Sequence, residues 1–311
     1  MYFPFLRGKQ FELIALRDLC ELISQKTDKI SPIIEPVKDS STLKTTLTAL
    51  SNSNINFNII VNPSVGDLKN KFEKILNIIN ESIPRYENFQ FGVIIDENTD
   101  YQEIIDFVID KKDAPRISLI HYAVRNDIAD ILYNTSNGTE LVYNIIHSSR
   151  ASTRYKREFE INTRVSLDDY FQTQQKNADY LRVGESRFSE EHLYFTEEGF
   201  IGFGDFLLIG ESYSDSGFLP YAVAIHISYI DDQNKIRVKH FVSDSNGDSD
   251  DVAGKFAEAL EKLIEWCEQN NIEGQAIEQF KDLSERQHFP GLGVLKKLSV
   301  INHIELVLNN I

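Results

Sequence analysis

Short apolar runs recur along the chain and alternate with stretches of helical spacing. The runs are 2-YFPFL-6, 30-ISPIIEPV-37, 57-FNIIVNP-63, 90-QFGVIID-96, 117-ISLIHYAV-124, 140-ELVYNIIH-147, 179-DYLRVGE-185 and 205-DFLLIGE-211. Each is short and rich in Ile, Val, Leu, Phe or Tyr, which fits a strand buried on both faces. Residues 9–25 place Leu16, Leu19, Cys20 and Ile23 on one helical face. Residues 66–82 do the same with Leu68, Phe72, Ile75, Leu76 and Ile79, and residues 100–111 with Ile104, Ile105, Val108 and Ile109. Strand starts about 25–30 residues apart have the period of a βα unit in a parallel sheet. The eight runs predict a TIM-barrel-like (β/α)8 barrel, an α/β fold, with residues 1–211 as its core. No GxGxxG follows a strand, so a dinucleotide-binding open sheet has no support.

The last third has another rhythm. Runs 220-PYAVAIHISYI-230 and 236-IRVKHFVSD-244 flank DDQNK and predict an antiparallel hairpin. Pairing Ile230 with Ile236 brings His226 opposite His240. An amphipathic helix over 251–268 and a final helix over about 292–308 complete residues 212–311, a decoration completing or covering the barrel within a single compact domain.

Composition narrows the function classes. The 311 residues carry 32 Lys and Arg against 48 Asp and Glu, a net charge of -16. Such a chain is not a general nucleic-acid or membrane binder, because counterion release needs clustered cations. The local exception is 149-SRASTRYKR-157, which makes Arg150 a candidate anion-binding residue. Cys20 and Cys267 do not make a disulfide framework. No leader pattern or membrane-length apolar run is evident, so a cytoplasmic location without membrane association is expected.

The polar residues that end the apolar runs carry the candidate chemistry. In a βα barrel the C-terminal strand ends line the mouth, where substrates bind. Glu35, Asn62 and Asp96 end three runs, His121 lies late in the fifth, and His147 ends the sixth. Arg7, Gly8, Lys9 and Glu12 stand where the first strand turns into the first helix. These types suit acid–base work on an anionic ligand: Arg7 and Lys9 hold the anion, Glu35 and Asp96 act as base or as ligands of Mg or Mn, and His121 is the general acid. In 202-GFGDFLLIGE-211, the two glycines ahead of Asp205 allow close backbone approach, and Asp205 joins Asn62 as a candidate ligand-binding residue. The run 243-SDSNGDSDD-251 fails as a calcium loop, having Ser249 and Lys255 at its sixth and twelfth positions.

The opening MYFPFLRGKQFELIALRDL, the strand ISPIIEPVK, GFGDF and the closing HFPGLG resemble an uncharacterised bacterial and phage family known as the beta-protein family. The resemblance implies a TIM-barrel-like fold and a role in anti-phage defence islands, with a nuclease-like partner encoded nearby. Lys9, Glu12, Glu35 and Asp205 match its recurrent motif positions, and no catalytic mechanism comes with them.

Three readings follow. In one, the mouth binds a nucleotide or phosphodiester, with metal-assisted hydrolysis as an added step. In the second, the barrel is a non-catalytic sensor or scaffold that recognises a phage component or docks the nuclease through the hairpin. The third is a metabolic barrel enzyme, which fold alone does not exclude.

Overall fold

Parallel strands covered on both sides need no polar face, and the barrel strands of this protein are accordingly short and apolar. The computed structural model describes residues 1–214 and 220–311; residues 215–219, part of the segment expected to decorate the barrel, lie outside the described residues. The chain divides into two compact units. The first comprises Met1–Leu13, Cys20–Asp168 and Glu191–Asp205, and the second Ile14–Leu19, Asp169–Glu190 and Phe206–Ile311.

The first unit is a closed eight-stranded parallel barrel, a TIM-like fold. Its strands are β1 (Tyr2–Leu6), β2 (Ile33–Ile34), β3 (Phe57–Ile60), β4 (Phe89–Ile95), β5 (Arg116–His121), β6 (Glu140–His147), β7 (Arg164–Asp168) and, after β8 (Glu185–Ser189) of the second unit, β9 (Gly202–Asp205), which closes on β1. Helices between the early strands include Gln10–Asp18, Ser41–Asn52, Phe72–Ser82 and Tyr101–Lys111.

Ring contacts across the barrel show which side chains point inward. Phe3 meets Tyr143 of β6 at 4.9 Å, and Phe5 meets Tyr122, just past β5, at 6.4 Å. Neighbours in register project to the same side. Phe5↔Ile33, Ile33↔Asn58, Ile60↔Gly92, Ile94↔Ile120 and Ile120↔Ile145 therefore carry the inward face around the barrel. Two residues further toward the mouth, on the same face, come Arg7, Glu35, Asn62, Asp96, Tyr122 and His147. A bulge between Ile117 and Ser118 shifts β6 so that Tyr143, not Val142, pairs with Ser118.

Two barrel strands depart from the apolar pattern. The seventh is 164-RVSLD-168, whose polar residues hide it, whereas 179-DYLRVGE-185 forms a helical turn over Tyr180–Val183 before β8. The eighth is GFGD, ending where the expected 205–211 strand would begin. A Cβ on Gly202 would lie 2.5 Å from the Phe3 ring, and one on Gly204 would lie 2.3 Å from the Phe3 carbonyl oxygen. The glycines are there because β1 occupies the space beside them.

The second unit holds a three-stranded antiparallel sheet in the order β10 (Ala224–Ile230), β11 (Ile236–Val242), β8. The hairpin register pairs Ile230 with Ile236 and His226 with His240, as the sequence predicts. Trp266, on the helix Val252–Asn270, packs against Tyr229 and Phe241 at 5.0 and 5.6 Å. Asn302, on the helix Leu292–Asn309, accepts the Ser228 N–H at 2.8 Å and so satisfies a backbone donor of strand β10. Among the described residues no helix is long and apolar enough to cross a membrane.

Gly204→Ala should lower stability by about 1–3 kcal/mol in denaturant unfolding, because the methyl meets backbone rather than a yielding side chain. Gly247→Ala, with nothing within 4 Å of the added carbon, should leave the midpoint nearly unchanged.

Candidate functional site at the barrel mouth

The first strand–helix junction is a packed corner. Gly8 has φ +61°, and a Cβ there would fall 2.6 Å from the Glu35 carbonyl oxygen, so the turn rests directly on the end of β2. Arg7 then lies beside Glu35. Its guanidinium donates to Glu35 Oε2, and the side chains are 7% and 0% exposed. The other oxygen, Oε1, accepts from Ser64 N–H at 2.6 Å and from Ser64 Oγ at 2.7 Å. Charge-assisted bonds of this kind compensate a buried carboxylate for lost water. Glu12 reaches back from the first helical turn to accept the Arg7 N–H at 2.6 Å, where a carboxylate also suits the helix dipole. Lys9 is half-buried, and its carbonyl accepts the Leu13 N–H at 3.0 Å.

Asn62 and Asp96 also serve the rim. Asn62 Nδ2 donates to the Ile94 carbonyl and Oδ1 accepts the Ile94 N–H, both at 2.8 Å. The side-chain amide thus continues the β3–β4 ladder one step beyond β3. Asp96 is exposed, and its Oδ1 accepts from Asn98 N–H and Thr99 Oγ, both at 2.8 Å. A cleft of about 270 Å³ opens between the loops after β3 and β4, with Asn62, Ser64, Lys69, Asp96, Asp100 and Glu103 in its wall. A larger one, about 380 Å³, lies at the opposite strand ends beside Tyr86, Phe89 and Arg116, away from every mouth residue.

His121 and Asp205 lie elsewhere. His121 faces outward, where Nδ1 bonds Tyr155 Oη at 3.1 Å and Nε2 bonds Asn144 Oδ1 at 3.2 Å. Burial lowers its pKa to about 4, only partly opposed by the Asn144 bond, so the ring is neutral. Asp205 also points outward, and its Oδ1 accepts the Tyr2 phenol at 3.0 Å. Burial first, and then Asp205, pushes the Tyr2 pKa well above its ordinary value.

Beside Tyr122 stands a group that the terminal residues of the runs only partly disclose. His147 faces the Tyr122 ring at 5.9 Å. Ser149 Oγ bonds His147 Nδ1 at 3.1 Å and donates to Asp168 Oδ1 at 3.0 Å. Arg150, exposed, lays its guanidinium over the Tyr122 ring at 5.4 Å. This is not a nucleophile triad: serine and aspartate both approach the same edge of the imidazole, and none of them relays to its far nitrogen. Tyr122 directly follows His121, and one of two consecutive strand residues must face in. Apolar residues on both faces of β5 conceal which one.

The failed calcium loop finds a simple explanation. The Lys255 ammonium, on a side chain 2% exposed, donates to the Asp248 carbonyl at 2.8 Å, the Asp250 carbonyl at 2.6 Å and Asp248 Oδ1 at 3.2 Å. A cation built into the following helix fills the turn.

Both Glu35 oxygens are engaged by Arg7 and Ser64, and among the described residues no group of three or more His, Cys, Asp or Glu side chains could hold a metal ion.

Two measurements test these assignments. Glu35→Gln removes the counter-charge supplied to buried Arg7 and should cost about 3–5 kcal/mol in barrel unfolding. For His121, the folded pKa of about 4 lies below the ordinary 6.5, so the unfolded chain takes up the proton first as pH falls. Its contribution is full above about pH 6.5 and is lost between there and about pH 4, at most roughly 3 kcal/mol. Hydrogen exchange of β5 and β6 amides against pH should show that slope, and His121→Gln should flatten it.

Compared with known protein families and with curated proteins, the chain matches none.

Proposed function

We propose that the barrel mouth binds a phosphate-bearing anion, a nucleotide or phosphodiester, on its β5–β6 side, as a component of bacterial anti-phage defence. The observation that carries the binding is Arg150 laid over Tyr122 beside His147 and Ser149. A guanidinium laid on an aromatic ring is the side-chain type that recognises an oxyanion through its N–H groups, and hydroxyl and imidazole groups next to it add hydrogen bonds. Arg154 and Arg157, both exposed, continue the positive charge along the loop after β6. The acidic remainder of the surface repels polyanions, so binding is local to this loop.

Arg7 and Lys9 take different parts in this reading. Arg7 is committed to Glu35 and holds the floor of the mouth. Lys9, at the lip, adds charge to the site. The geometry supports binding more than metal-assisted hydrolysis, since both Glu35 oxygens already accept hydrogen bonds from Arg7 and Ser64. Docking of a nuclease-like partner by the hairpin has less support, because Trp266 and Asn302 already pack on its strands.

The test is calorimetric titration with inorganic phosphate, a mononucleotide and a short oligonucleotide. Arg150→Ala should weaken the bound ligand at least tenfold and reduce the slope of log Kd against log salt by about 1. Cells carrying the gene should lose phage protection with the same substitution. Unchanged affinity in Arg150→Ala would sink the binding reading, and protection that survives a loss of binding would separate the defence role from this site.

A further inference from the structure

His226 and His240 form an unusual pair on one face of the β10–β11–β8 sheet. Their Nδ1 atoms are 2.9 Å apart and joined by a hydrogen bond. His240 Nε2 bonds Ser186 Oγ at 3.0 Å. The Tyr180 ring lies 4.6 Å from both imidazoles, and Phe171 lies 5.3 Å from His226. Burial, then the neighbouring imidazole, lowers the His226 pKa to about 3; burial, then Lys239, lowers that of His240 to about 4. A hydrogen bond between two Nδ1 atoms needs one of them as an unprotonated acceptor, the form in which imidazole binds metals.

We propose that the Nδ1 atoms of His226 and His240 clasp a soft monovalent d10 metal ion of the Cu(I) type in two-coordinate, linear fashion. A hydrogen bond between two ring nitrogens turns both Nδ1 atoms toward each other, one offering its proton and the other its lone pair. Linear coordination needs that alignment, whereas a tetrahedral ion would sit off the line and need two more ligands. Among the described residues no third His, Cys, Asp or Glu side chain converges with the pair, and a two-coordinate ion requires none. Linear binding needs the nitrogens about 3.8 Å apart, so each ring moves outward by about 0.5 Å. Ser186 fixes the far nitrogen of His240, the role of an outer partner that orients a metal-ligating imidazole. The rings of Tyr180 and Phe171 enclose the pair, and a single charge costs less to bury there than two.

The proton balance is simple. In the metal-free pair one ring carries its proton on Nδ1. On binding, that proton moves to Nε2 of the same ring by exchange with water at half-buried His226. No proton is lost overall, no electron is transferred, and the site gains one positive charge. Lys239 and Lys296 oppose that charge, while Glu185 favours it.

The experiment is anaerobic titration of the full-length protein with Cu(I) against a chromophoric competing chelator, followed by X-ray absorption. The expected result is one equivalent bound, with two nitrogen neighbours at about 1.9 Å and no sulfur. His226→Gln and His240→Gln should each weaken binding at least tenfold. Cys20→Ser with Cys267→Ser should change it less than threefold. On the unmodified protein, ¹⁵N spectra should show both Nδ1 signals shifting while both Nε2 atoms are protonated, a readout that needs no variant to fold. Failure to compete with the chelator, binding that survives both histidine changes, or sulfur neighbours would overturn the proposal.

Discussion

The mouth of the barrel depends on one buried ion pair. Arg7 and Glu35 follow consecutive strands, and neither is in water. A pair like this contributes little net stability compared with apolar packing, but it penalises any arrangement that separates the charges. Because Glu35 also takes two bonds from Ser64, the loops after β1, β2 and β3 are tied at one point. Gly8 makes the approach possible by having no side chain against the Glu35 backbone.

The ties continue around the rim. Asn62 joins the end of β3 to Ile94, and Arg125 donates to the carbonyls of Asp96 and Thr99, joining the loops after β4 and β5. Ser149 reaches Asp168 at the end of β7. Much of the polarity at the strand ends is thus spent on holding loops. Arg150 and its neighbours stand out because an exposed guanidinium lies on an aromatic ring at the mouth. In a strongly acidic chain, Arg150, Arg154, Lys156 and Arg157 stand close together in the loop after β6, whereas other cations, such as Lys255, are used internally.

The first six barrel strands were legible because each is an apolar run bounded by polar residues and followed by a helical pattern. The seventh was not, since RVSLD has too few apolar residues to stand out. The eighth is built from GFGD, which strand propensity disfavours; its glycines make sense only beside Phe3, about two hundred positions away in the chain. The hairpin was legible to the residue pair, because a short loop and period-two spacing fix a register locally. Among the site residues, Arg7 and Glu35 were placed together at the mouth, whereas His121 proved to face the outer layer and its successor Tyr122 the interior.

Local pattern by itself determined the alternation of strands and helices, the barrel class, the hairpin and which residues end the strands at the mouth. Those features follow from periodicity and turn chemistry over a few residues. Tertiary structure alone decided which face each strand end presents and which polar groups are consumed by neighbours. The physical reason is that a barrel strand is apolar on both sides, so alternation carries no inward sign. A bulge such as the one in β6 then resets the parity without marking it in the composition.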